Sequence, residues 1–123
     1  MGTVTRFEDL EAWQDARRLV SMIYECCARS PLGRDFGLRD QIQRSSVSIM
    51  ANIAEGFGRG RNPEFIHYLR IASGSCAEVR SHLYVATNVK LISNEDFETL
   101  SAQVMRVGKK LTNFRKYLES VKR

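Results

Sequence analysis

The sequence predicts an all-α fold, an antiparallel up-down-up-down four-helix bundle forming a single domain over residues 1–123. Three observations carry that prediction. Apolar residues recur at steps of three and four through four long stretches, as expected of helices that each bury one face. The stretches are joined by short connections, which suit antiparallel neighbours and leave no length for a crossover. Only two prolines and eight glycines punctuate the chain, too few for a turn-rich β fold.

The first helix is expected from Glu8 to about Ala28. Thr5 and Glu8 have the spacing of a capping box, and Glu8, Asp9 and Glu11 place negative charge where the helix dipole favours it. Leu10, Trp13, Ala16, Val20, Ile23 and Cys27 mark its apolar face, which Tyr24 widens. Ser30-Pro31-Leu32-Gly33 ends it, because proline cannot continue a helix and glycine permits the turn.

The second helix, Leu38 to Phe57, is the most distinctive. Leu38, Ile42, Ser45, Ile49, Ile53 and Phe57 form its core face. Gln41, Arg44, Ser48, Asn52, Glu55 and Arg59 follow the same spacing on another face. Serine and asparagine are poor mid-helix residues, so this polar stripe points to packing or assembly rather than to plain solvent. Gly56, Gly58 and Gly60 are expected to stop the helix, with Gly58-Arg59-Gly60-Arg61 as the loop.

Asn62 as N-cap and Pro63 at the first helical position start the third helix, Pro63 to Lys90. Phe65, Leu69, Ala72, Cys76, Val79, Leu83 and Ala86 make a heptad seam. Ile71, Glu78 and Val85, flanked by Ala77, Tyr84 and Val89, make a second line. A bundle helix needs only one buried stripe, so either this helix is central or its second face meets another subunit. Glu78 on that line, if buried, requires a cation, and Arg44 or Arg59 of a neighbouring helix or subunit is the expected partner. Gly74 in mid-helix costs about 1 kcal/mol relative to alanine, which implies a packing reason for it.

Ser93 with Asp96 caps a fourth helix, Asn94 to Val121. Its seam is Phe97, Leu100, Val104, Val107, Leu111, Phe114, Leu118 and Val121, and every basic residue avoids it.

The formal charge is +5, and residues 93–123 carry seven basic against four acidic side chains. All seven lie at or after Arg106, where only Glu119 opposes them. Basicity concentrated on one helix suggests an acidic partner, with nucleic acid the usual candidate. Three cysteines without a CxxC pair argue against a disulfide framework or a zinc site, and buried inert thiols are expected. No apolar run is long enough to span a membrane and no signal-peptide pattern opens the chain, so a cytoplasmic protein without membrane association is expected. His67 and His82 stand far apart on the third helix, and no acid pair, HExxH or phosphate loop sits in a catalytic context. The expectation is a protein that is not an enzyme, with no catalytic residues, metal or cofactor.

Three stretches carry a resemblance: Phe7-Glu8-Asp9-Leu10-x-x-Trp13-Gln14-x-Ala16, then Phe36-Gly37-Leu38 through Glu55-Gly56-x-Gly58-Arg59, then Phe65-x-x-Tyr68-Leu69-x-x-Ala72-x-Gly74-Ser75-x-x-Glu78. Together they resemble the bacterial four-helix-bundle family encoded by intervening sequences in 23S ribosomal RNA genes. The fourth helix matches only in pattern. The resemblance implies a small cytoplasmic bundle, assembled as a homopentamer around a central channel, and no enzymatic activity. The family is in turn similar to the accessory variability proteins of diversity-generating retroelements, basic pentamers that bind nucleic acid and a reverse transcriptase. The chain departs from the family pattern at Gln43-Arg44, where two arginines are usual, and at Met50, where proline is usual. Without that proline the second helix is expected to be straighter.

Sequence and resemblance together predict a non-catalytic homo-oligomer that associates with nucleic acid, RNA or DNA, through its phosphate backbone. The phosphate-contact candidates are Arg59, Arg61, Arg106, Lys109, Lys110, Arg115, Lys116, Lys122 and Arg123. The candidates for packing or the oligomer interface are Arg44, Asn52, Glu55, Ile71, Glu78 and Val85. The alternative is a protein-interaction scaffold, or an accessory subunit of a reverse transcriptase, in which the second face of the third helix receives a foreign partner.

Overall fold

A computed structural model of the chain describes residues 4–121. Its helices are α1 (Glu11–Arg29), α2 (Phe36–Gly58), α3 (Asn62–Asn88) and α4 (Asn94–Ser120), with 3-10 turns at Phe7–Asp9 and Pro31–Arg34. Side-chain pairs fix their directions. Arg70 meets Glu119 while Tyr84 meets Phe97, so α3 and α4 run antiparallel. Asp15 meets Lys110 while Arg29 meets Asp96, which does the same for α1 and α4. Ser48 reaches Ser75, and Gly56 lies against Phe65 and Tyr68, which orients α2 against α3.

The core follows the heptad seams. All of Phe65, Leu69, Ala72, Cys76, Val79, Leu83 and Ala86 are buried on α3. On α4 the seam from Leu100 to Leu118 is buried, with Phe97, Phe114 and Val121 half-buried. Ile42, Ser45, Ile49 and Ile53 are buried on α2, with Leu38 and Phe57 packed at the margin.

Helix α1 departs from the expected phase. Its buried line is Ala12, Ala16, Leu19, Ile23 and Cys26 with Cys27 beside it, so Leu19 replaces Val20 at the centre. Tyr24 does not widen the apolar face; it is 47% exposed. The start of the helix differs as well. Residues Phe7–Asp9 form a 3-10 turn, Phe7 packs edge-on against Trp13 at 5.2 Å, and the helix begins only at Glu11. The expected Thr5–Glu8 capping box is therefore not made: Arg6 holds the cap position without a side-chain bond.

Other ends differ in detail. The first helix closes on a 3-10 turn that buries Leu32 fully, and the Leu32 amide donates to the Leu91 carbonyl at 3.2 Å, tying two connections at one end of the bundle. Gly33 is required there, since a Cβ would lie 1.9 Å from the Cys27 carbonyl oxygen. Gly56 does not end α2. It is buried within the helix, where a Cβ would come within 2.7 Å of Tyr68 Cβ and 2.8 Å of Phe65 Cδ1, so it sets the close approach of α2 to α3. The left-handed residue is Gly60, with φ of 78°. Asn62 is not the N-cap of α3; extended Arg61 is, and Pro63 falls in the first turn, where a missing N–H costs nothing. Ser93 does cap α4, accepting from the Asp96 amide at 3.0 Å.

A candidate nucleic-acid interface and an open helix face

Two surfaces hold the residues singled out in the sequence. The first is α4. Its basic residues divide by the side they face. Arg106 and Lys110 turn toward α1, where Arg106 Nε lies 3.4 Å from Asp15 and Lys110 pairs with both Asp15 and Glu11. Burial pushes the Asp15 carboxyl up, but Lys110 and Arg106 more than reverse this and hold it below the ordinary range. The cations on this side are thus neutralised within the chain. Beneath them the buried Gln103 donates to the Asp15 carbonyl at 2.9 Å, which satisfies its amide.

Lys109 and Lys116, seven residues apart, share the outward ridge of α4 and are exposed. Among the described residues, neither has an ion-pair partner. Arg115 turns toward α3 and bonds both oxygens of Glu119, at 3.2 and 3.0 Å. Of the turn arginines, Arg59 is held by Glu55 and by the Tyr68 hydroxyl, at 2.9 and 2.8 Å, whereas Arg61 is exposed. Lys122 and Arg123 lie outside the described residues.

The second surface is the outward side of α2 and α3. Ile71 and Val85 on α3 and Val89 just past its end are 39%, 46% and 59% exposed, so the second apolar line is uncovered in the single chain. Glu78 lies on it and is exposed, not buried. It lines a groove of about 320 Å³ with Gln41, Arg44, Ser45, Ser48 and His82. Arg44 and Glu78 thus face one groove with no ion pair between them. Within the chain Arg59 is held by Glu55 and Tyr68 and not by Glu78. Gly74, on the same outward side, has nothing within 4 Å of an added Cβ, so packing inside the chain does not explain it.

The polar stripe of α2 splits. Ser48 bonds Ser75 across the helices at 2.9 Å, and Asn52 Nδ2 donates to the Ser48 carbonyl and hydroxyl. This half is an intramolecular clasp at the level where α3 is built from small residues. Arg44 and Glu55 point outward.

Cys26, Cys27 and Cys76 are free and buried. Burial pushes the Cys76 thiol up to about 12 and raises the other two as well, so they stay protonated at neutral pH. Among the described residues no three His, Cys, Asp or Glu side chains gather as a metal site. Nor is any described helix long and apolar enough to cross a membrane.

The molecule is therefore a four-helix bundle whose distinctive chemistry lies on its outside: one helix ridge of unpaired lysines and one open apolar helix face. The chain belongs to the 23S rRNA-intervening sequence protein family, whose profile matches residues 8–113. Comparison with curated proteins gives no match. Among solved structures, the chain is similar to a protein of unknown function from the S23 ribosomal protein family of Bacteroides thetaiotaomicron. That likeness has a TM-score of 0.77 at 23% identity and covers 85% of this chain and 98% of the other, which supports the fold alone.

Proposed function

We propose that the protein is a non-catalytic homo-oligomer, a pentamer on the family resemblance, that associates with RNA through its phosphate backbone. The observation that carries the nucleic-acid reading is the pair of exposed lysines on the ridge of α4, Lys109 and Lys116, left unpaired while Arg106 and Lys110 beside them are matched by α1. Exposed, unmatched cations bind a polyanion by releasing its counterions. The family's name, and the ribosomal family of the similar protein, favour RNA over DNA. Self-association is supported by the uncovered line Ile71, Val85 and Val89, with Arg44 and Glu78 placed to bridge copies. Glu55 and Asn52 are spent inside the chain and contribute to assembly only indirectly.

The test is fluorescence anisotropy of the full chain with a labelled RNA hairpin. Affinity is expected to fall linearly on a log–log plot between about 50 and 200 mM salt. Salt-independent or undetectable binding overturns the reading. A second reading is favoured by the same open face of α3: it receives a foreign protein, such as a reverse transcriptase, instead of another copy. Light scattering separates the two, since a monomer at every concentration supports the foreign partner.

A further inference from the structure

From the way α3 lies beside α4, we infer that the RNA-binding surface spans both helices, with Arg70 and Arg80 of α3 joining Lys109, Arg115 and Lys116 of α4 as phosphate contacts. This rests on the nucleic-acid reading above and gives it a place. Arg70 and Arg115 both bond Glu119, at 2.9 and 3.0 Å, so one carboxylate is shared by two guanidiniums and one positive charge is left over. Arg80 is exposed and, among the described residues, has no ion-pair partner. It precedes Tyr84 by one helical turn, and Tyr84 lies 5.1 Å from Phe97 of α4, which puts Arg80 on the α4 side of α3. Five cations gather here against Glu119 and, nearer the other end of the α4 ridge, the exposed Glu98, so the face carries net positive charge. The opposite flank of α4 is neutral, because Asp15 and Glu11 answer Arg106 and Lys110.

The dimensions suit a nucleic-acid backbone. Arg70 and Arg80 are ten residues apart on one helix, about 15 Å, a reach that spans several consecutive phosphates of a nucleic-acid strand. The surface avoids the outward line through Ile71 and Val85, so self-association and RNA binding need not compete. Guanidiniums engage phosphate oxygens bidentately while lysines act as point charges, which suits the one charge that Glu119 leaves over between Arg70 and Arg115 to positioning and the ridge lysines to attraction.

The experiment compares two charge-matched triple variants of the full chain. Arg80→Gln, Lys109→Gln and Lys116→Gln removes charges that make no ion pair among the described residues, so folding is preserved, as circular dichroism melting checks. Arg17→Gln, Arg18→Gln and Arg34→Gln removes as many exposed cations from α1 and the turn before α2. With the labelled RNA hairpin, the first triple is expected to flatten the log K against log salt slope by about 2 to 3 and the second to leave it within error. Equal flattening by both triples, or flattening by the second alone, overturns the inference and leaves general RNA binding standing. Undetectable binding by the wild-type chain removes the parent reading and this surface with it. Tighter binding of polyglutamate than of RNA at matched charge assigns the surface to an acidic protein and overturns the inference.

Discussion

Lys90 closes α3 with a φ of 62°, a left-handed backbone in which an L side chain is strained and glycine is not. The turn is nonetheless hydrogen-bonded: the Lys90 amide donates to Thr87 and the Leu91 amide to Ala86. Lys90→Gly is expected to raise stability by about 1 kcal/mol, read as a later urea midpoint with an unchanged slope. An earlier midpoint would mean that the lysine side chain contributes more than its backbone strain costs. Arg29 donates two 2.9 Å bonds to Asp96 and holds its carboxyl below the ordinary value. The unfolded chain takes up that proton first as pH falls. The pair's contribution is therefore complete above about pH 4 and is lost as pH drops through the lower folded value. Asp96→Asn should melt lower at neutral pH and show a flatter acid limb below about pH 4. Parallel acid limbs in variant and wild type would show that the pair contributes nothing.

At the scale of elements, α3 was the most legible. Its seam keeps a strict heptad spacing despite the second apolar line beside it, and each seam residue is buried. Helix α1 was not, because Leu19 and Val20 are adjacent apolar residues that both fit a three/four spacing, and only the packing shows that Leu19 is the buried one. Gly56 was misread for a related reason. A glycine near a helix end looks like a stop signal, and only the neighbouring α3 reveals that it is there for space. Gly74 separates assembly from intrinsic fold. It is exposed, with open space where a Cβ would go. In an isolated bundle Gly74→Leu should stabilise by up to about 1 kcal/mol through helix propensity. If copies meet on this face, the same variant should shift the chain toward monomer in sedimentation velocity. Unchanged assembly would move the interface away from α3.

For the whole molecule, the position of the basic residues was readable from α4 alone, since they avoid its seam. Which of them remain available was not. Asp15 and Glu11, near the start of the chain, neutralise Arg106 and Lys110 near its end, and only the antiparallel packing of α1 on α4 makes that pairing. Arg70 and Arg80 were passed over because α3 read as an apolar helix, and nothing in its periodicity says which neighbour its cations face. The same packing leaves Ile71 and Val85 open, so the proposed assembly and the proposed RNA binding fall on separate sides of one helix. Sedimentation velocity of the full chain, alone and with a labelled RNA hairpin at low and high salt, tests both together. One species heavier than a monomer is expected, which carries the RNA at low salt and releases it at high salt while remaining assembled. A monomer that never moves the RNA boundary would contradict it.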